Sequence, residues 1–240
     1  MADFYERTEV IREVAEAQRS KVCWDLLHDL VAERSEDENV TRILDIGCGD
    51  GSFAARFGKD AEIFGVDVSQ LAIDLAKGVG VSAYKADISC EKLPFENGFF
   101  DVVYMGDVIE HLLNPDFAVK EASRVLKSNG VLVLSTPNLA SWLNRCLMLL
   151  GLQPLFSEVS TVKHFGRPGR GDFSPVGHLR LFTLGALKGF LTYYGFSIDR
   201  VKGAHWDQLP RFLAKVDSIV SKIPSLSSCI IVVARKKQQH

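Results

Sequence analysis

The hydrophobic rhythm of the 240-residue chain changes twice. From about Glu6 to Ala32 the apolar positions Val10, Ile11, Val14, Ala17, Val22, Leu26, Leu27 and Leu30 recur at roughly 3.6 residues, the period of an amphipathic helix. The charged segment ERSEDENVTR, Glu33 to Arg42, reads as a solvated linker. Short apolar runs then alternate with helical patterns. ILDIG (Ile43 to Gly47), EIFGVDVS (Glu62 to Ser69), VSAYKAD (Val81 to Asp87), FDVVYMG (Phe100 to Gly106) and GVLVLSTPN (Gly130 to Asn138) read as strands. Between them the pattern predicts a short helix through Phe53 to Phe57 and a helix in QLAIDLAKGVG that stops at Gly78 or Gly80. A further helix is expected from Asp107 to Leu126, with an interruption at Pro115. Runs such as VLVL suit strands buried on both faces, so the pattern predicts a parallel α/β sheet with helices on both sides.

The second change falls at Asn138 to Gly177. An apolar, helix-like piece (Leu139 to Leu152) leads into the irregular PLFSEVSTVKHFGRPGRGDFSPVGH. A connection this long usually forms a lid or binding loop. Regular structure resumes with a helix near Leu184 to Tyr194, a strand FSIDRVKG, a helix near Leu209 to Lys222 and a last strand CIIVVARK. The expected organisation is one domain over 1–240, with an N-terminal helical cap at 1–40 and a lid or substrate insert at 139–177.

Composition narrows the class. A net charge of −2 gives no global basic field for nucleic acid. The five cysteines are scattered and form no C-x-x-C, which argues against a disulfide framework or structural zinc and fits a reducing, cytoplasmic setting. The N-terminus lacks the apolar core of a secretory signal, and no uncharged apolar run reaches 18 residues. Peripheral membrane contact through the insert stays open.

The chemistry begins at LDIGCGDGSF. Gly47, Gly49 and Gly51 directly follow a strand, where glycine allows positive φ and close approach of a ligand. The second strand ends at Asp67, twenty residues after Gly47, where an acid can accept both hydroxyls of a ribose. The alternative role for Asp67 is capping the next helix. The G-x-G-x-G spacing differs from both G-x-G-x-x-G and the P-loop, and no lysine follows. Asp45 and Asp50 disfavour a pyrophosphate and suit a nucleoside with a positive centre.

From Thr41 to Asn138 the chain resembles the class I S-adenosylmethionine-dependent methyltransferases. ILDIGCGDGSFA is similar to their first motif, IFGVDVSQ to the strand bearing the ribose acid, and YKADIS to the segment beside adenine. LPFENGFFDVVYMGDVIEHLLNP and RVLKSNGVLVLSTPN are similar to the later motifs in order. Asn129 stands where family members often carry proline, at a structural turn. The resemblance implies a Rossmann-like seven-stranded sheet whose last strand, CIIVVARK, runs antiparallel. It implies S-adenosyl-L-methionine as cofactor, held by Asp45, Gly47, Cys48, Gly49, Gly51, Asp67, Val68, Asp87, Ile88 and Met105.

At the end of the fourth strand, MGDVIEHLLNP places Asp107, Glu110 and His111 at i, i+3 and i+4, one face of a helix. One reading is a D-x-x-E capping box at the helix start, with His111 bonded to a core carbonyl. The other rests on resemblance to ubiquinone-pathway O-methyltransferases and small-RNA 2′-O-methyltransferases. It implies a divalent-metal site (Mg or Mn) of Asp107, Glu110, His111 and the distant His178 of GHLRLFT. Those groups carry glutamate where this chain has Asp107. With or without metal, His111 and His178 are candidate general bases, and Asp107 joins them as a candidate catalytic residue.

The weaker candidates are His164 and His205. Trp142, Phe156, Phe165 and Phe173 could line an acceptor pocket or pack the lid. Lys163, Arg167 and Arg170 could hold an anion, and Tyr5 and Arg12 could touch the cofactor. The expected activity is methyl transfer to a small molecule, foremost O-methylation of a quinol-, saccharide- or lipid-like acceptor. N-methylation of a small amine, RNA 2′-O-methylation and a non-catalytic cofactor-binding subunit are the alternatives.

Overall fold

Seven strands form one sheet in the order β3-β2-β1-β4-β5-β7-β6. They are β1 (Thr41–Ile46), β2 (Ala61–Asp67), β3 (Ser82–Lys85), β4 (Phe100–Gly106), β5 (Leu126–Pro137), β6 (Phe196–Ala204) and β7 (Cys229–Lys236). β1 to β5 pair in parallel, while β7 runs antiparallel to both β5 and β6, as the resemblance implied. The structure is a computed structural model and describes residues 18–34, 40–166 and 175–238. The expectations placed on Tyr5, Arg12, Arg167, Arg170 and Phe173 lie outside the described residues.

The helices are α1 (Gln18–Arg34), α2 (Gln70–Gly78), α3 (Pro115–Val125), α4 (Trp142–Leu149), α5 (Leu184–Tyr193) and α6 (Arg211–Val220). The alternation of side chains along each strand sorts them into two cores. Leu44, Ile46, Val103, Met105, Leu132 and Leu134 face α3 and α5 through Ala118, Val119, Leu187 and Leu191. Ile43, Val102, Tyr104, Val131, Val133 and Ile231 face α1 through Cys23, Leu26, Leu27 and Leu30. Both faces are therefore dry, which is why these strands read as unbroken apolar runs. Truncating one such side chain, for example Leu132→Ala at 0% exposure, is expected to cost about 2–5 kcal/mol.

Two boundaries differ from the sequence reading. The linker over Glu33 to Arg42 is shorter at both ends: α1 continues to Arg34 and β1 begins at Thr41. The expected helix from Asp107 to Leu126 is not continuous. Asp107 sits at φ 53, outside the helical region, and Ile109–His111 forms a single 3₁₀ turn. The helix proper starts at Pro115, where Asn114 caps it by accepting from the Phe117 N–H. Proline fits the first helical position because its missing N–H is unpaired there anyway. Asp107 is thus no N-cap, the D-x-x-E capping box does not form, and Asp107, Glu110 and His111 do not share a helical face.

Candidate active site

The carboxyl ends of β1, β2 and β4 meet where strand order reverses between β1 and β4, the crevice in which open α/β sheets bind ligands. After β1 the chain turns through Gly47, Gly49 and Gly51 at φ 75, 52 and 73, all in the left-handed region. A Cβ on Gly47 would stand 2.4 Å from Val108 Cγ2, so the turn has no room for a side chain there.

Asp67 faces this turn. Its Oδ2 accepts from the Gly49 N–H at 3.1 Å and its Oδ1 from the Ser69 N–H at 2.9 Å. Ser69, not Asp67, caps α2 by accepting from the Ala72 N–H. The helix-cap alternative for Asp67 is thereby set aside, and its carboxylate is fixed at the turn with acceptor capacity left on each oxygen. Asp45, at the end of β1, is buried, and burial followed by the charge of Asp67 pushes its carboxyl up to about 7. Asp87 bends the chain after β3 by accepting from the Ser89 N–H at 2.9 Å. Other expected cofactor residues lie here with side chains turned inward. Met105 and Ile88 are in the main core, and Cys48 packs in the small core around α2. What these three offer the crevice is backbone; Val68 is half-buried beside Asp67.

The other half of the crevice is assembled from distant segments. Glu110 is fully buried; Oε2 accepts from the Thr136 hydroxyl at 3.0 Å, while Oε1 has no hydrogen-bond partner. Burial, then the charge of Asp107, raises its carboxyl well above the usual range. His178 arrives from the end of the insert with Nε2 3.9 Å from that Oε1. The rings of His111 and His178 are 4.7 Å apart. His111 Nδ1 lies 3.2 Å from the Gly177 carbonyl and His178 Nδ1 3.1 Å from the Phe156 carbonyl. A carbonyl only accepts, so each Nδ1 is the protonated nitrogen and each Nε2 carries the basic lone pair. Burial and then the neighbouring His178 lower His111 to about 4, and burial lowers His178.

Two staples hold this arrangement. The Glu110 carbonyl accepts from the N–H groups of Leu179 and Arg180 at 2.8 and 3.0 Å. Glu158, from the insert, accepts from the N–H groups of Val176, Gly177 and His178 at 2.7, 2.8 and 3.2 Å. The insert's neck is closed by a bridge between Asn138 and Phe182. Asp107 stands apart. It forms an ion pair with Arg19 of α1 and accepts from the Ser135 hydroxyl at 3.2 Å. Among the described residues Glu110, His111 and His178 form the cluster whose ligand atoms lie within 4.8 Å of one another, and Asp107 is not in it. Of the four residues expected to hold a metal, Glu110, His111 and His178 come together and Asp107 does not, because it sits at left-handed φ and its carboxylate pairs with Arg19 of α1.

Arg19, Phe156 and Glu158 were not singled out by sequence for these roles; an arginine on a helix or a glutamate in an irregular insert carries no local signal. His205 pairs with Asp207 at 3.1 Å, and Trp142 donates to buried Asp217 at 2.7 Å. Neither stands in the histidine cluster. Lys163 and Phe165 are exposed.

Residues 44–134 match the family model described as a methyltransferase domain. Over that segment the chain is similar to the class I S-adenosylmethionine-dependent methyltransferases, as its motifs implied. It is 32% identical over 145 residues to a ubiquinone biosynthesis O-methyltransferase of Bartonella quintana, covering 56% of each chain. It is 30% identical over 127 residues to a sterol 4-C-methyltransferase of Caenorhabditis elegans, covering 50% of this chain and 38% of that one. The chain thus spans about half the length, or less, of these curated relatives. A solved Thermotoga maritima methyltransferase, described as a possible histamine N-methyltransferase, shares the fold with a TM-score of 0.58 at 20% identity, over 95% of this chain and 97% of that one. The methyltransferase domain match ends at residue 134, before the insert, so Glu158 and His178 lie beyond it.

Proposed function

We propose that this chain transfers a methyl group from S-adenosyl-L-methionine to a hydroxyl of a small, largely apolar acceptor. The observation that carries the reading is the pairing of His111, after β4, with His178, from the end of the insert, each with its Nδ1 hydrogen directed to a carbonyl so that Nε2 is the lone-pair nitrogen. When bound, the cofactor supplies a methyl group already activated on a sulfonium. The glycine turn fits such a ligand, since its positive-φ backbone carries no Cβ to hold a ligand away from the N–H groups, and no lysine directly follows it in the sequence. Asp67 would take the ribose hydroxyls and Asp87 would face the adenine, while buried Asp45, its carboxyl pushed up to about 7, would back the turn.

The acceptor's one proton would pass to Nε2 of His178, with His111 beside it, as the C–O bond forms and the C–S bond breaks with its electron pair returning to sulfur. A positioned base of this kind contributes about 10²–10⁴ in rate. Both rings are lowered in basicity by burial, so they stay neutral and ready at pH 7. Glu110 beneath them keeps the floor dry and polar. Exposed Leu113, Val176 and Leu179 flank the histidines along the chain, a rim suited to a ring or an acyl chain rather than to a phosphodiester backbone. Amine methylation needs the base less, and RNA methylation sits poorly with a net charge of −2.

A second reading concerns a divalent metal. Glu110 Oε1 is buried without a partner, and two neutral imidazoles stand beside it with Nδ1 anchored, an arrangement that fits a metal ligand set. Glu110, His111 and His178 would hold the ion, which when bound would polarise the acceptor hydroxyl.

The test is a methyl-transfer screen over catechol, saccharide, amine and RNA acceptors, run with and without chelator. Turnover on hydroxyl acceptors alone is expected. Preferred turnover on amines or RNA would overturn the O-methylation reading, and chelator-insensitive turnover would overturn the metal.

A further inference from the structure

α6 carries an exposed apolar stripe. Phe212, Val216 and Ile219, at i, i+4 and i+7, are 70%, 42% and 67% exposed, and Ile223, just past the helix end, is 53% exposed. At about 100° per residue the three helical positions fall within one narrow face, Arg211 and Lys215 line one flank of it, and Lys222 lies in the turn that follows. From Arg211 to Ile223 every exposed residue is apolar or basic except Ser218. The one acid of the stretch, Asp217, is fully buried and accepts from the Trp142 indole, the Trp206 N–H and the Ser228 hydroxyl. That contact ties α6 to α4, where Met148, Leu149 and Leu150 are 46%, 88% and 74% exposed and Arg145 is the exposed charge. A chain of net charge −2 therefore gathers apolar and positive groups, and no exposed acid, on these two helices.

We propose that α6 and α4 form a docking face for an anionic lipid surface. A helix with large side chains on one stripe and cations along its flank lies in a bilayer interface. The apolar stripe is immersed at the acyl boundary, and the cations reach phosphate headgroups. The flank's charge favours this occupant over a second copy of the chain, whose matching face would bring like charges together. The face is connected to the mouth: Trp206, bonded to Asp217, packs on Phe156 at 5.1 Å, and Phe156 packs on His178 at 5.8 Å. A lipid-dissolved acceptor would meet the histidines without leaving the interface. The docking inference does not depend on which reaction the site performs.

The experiment is co-sedimentation of the full chain with phosphatidylcholine vesicles, with and without phosphatidylglycerol. Binding is expected to anionic vesicles, to be at least tenfold weaker to neutral ones, and to weaken as salt rises. Phe212→Ser combined with Ile219→Ser removes the stripe. Lys215→Glu combined with Lys222→Glu reverses the basic charge beside it and leaves the stripe intact. Each pair is expected to lower vesicle affinity roughly tenfold or more with an unchanged circular-dichroism melt, since all four side chains are exposed. Equal binding to neutral vesicles, no binding to either, or wild-type affinity in both double variants would overturn the proposal. So would light scattering that shows a dimer abolished by the stripe variant, or retention of RNA in preference to vesicles.

Discussion

The two halves of the crevice are built in opposite ways. The cofactor half is local: a glycine turn, an acid one strand later, and backbone N–H groups of Gly49 and Ser69 that fix it. Its geometry is written in backbone conformation. The acceptor half is long-range. Glu110 and His111 lie sixty-odd residues from His178, and side chains and carbonyls of the insert hold His178 in place. The first half can be conserved as a motif while the second is rebuilt for a new acceptor, which is how one fold serves many substrates. The methyltransferase domain match, ending at residue 134, takes in the cofactor half with Glu110 and His111 and leaves out Glu158 and His178.

Breaking the local half should have the largest effect. Gly47→Ala forces a Cβ into Val108 at a backbone φ of 75 and is expected to weaken cofactor affinity at least 100-fold by calorimetry. Asp45→Asn separates stability from binding. Asp45 keeps its proton in the fold up to about 7 against an ordinary 3.8, so it subtracts stability progressively as pH rises through that window. At pH 7.5 the variant should be more stable to urea by as much as about 4 kcal/mol, the linkage value of that shift. Its cofactor affinity should nevertheless fall.

The long-range half should break more gently and without touching the cofactor. Glu158→Gln weakens three N–H bonds to the 176–178 segment. It is expected to lower kcat roughly tenfold, with cofactor affinity within twofold of wild type. The smallest effect is a pH slope. His111 titrates near 4 in the fold and near 6.5 when unfolded, so the unfolded chain takes up the proton first and stability declines as pH falls from about 6.5 toward 4. His111→Gln should flatten that decline in denaturant titrations at pH 5; an unchanged slope would place the proton elsewhere.

The same division decides how much the sequence could say. The strands of the parallel core and the glycine turn followed from apolar runs and spacing, because each is written in a short stretch of chain; the antiparallel β7, paired with β5 about a hundred residues away, followed from family resemblance alone. MGDVIEHLLNP did not. Its i, i+3, i+4 spacing suggested a helix face, yet Asp107 turns left-handed, where its N–H reaches the Ser135 carbonyl and its carboxylate meets Arg19. Only Asn114 and Pro115 begin the helix. His178 could be paired with His111 by resemblance, but the clamps that bring them together, Glu158 and the Phe156 carbonyl, have no signature in an irregular loop. Tertiary contacts overrode local propensity at the place where the chemistry gathers.

The separation of the cofactor half from the acceptor half puts His178 in the second alone. It is tested most directly by His178→Gln, measured two ways on one preparation: calorimetric titration with S-adenosylmethionine, and single-turnover methyl transfer to a hydroxyl acceptor on which the wild type is active. The dissociation constant is expected within twofold of wild type and the transfer rate lowered by about 10²–10⁴. An unchanged rate, or a rate and an affinity that fall together, would contradict it.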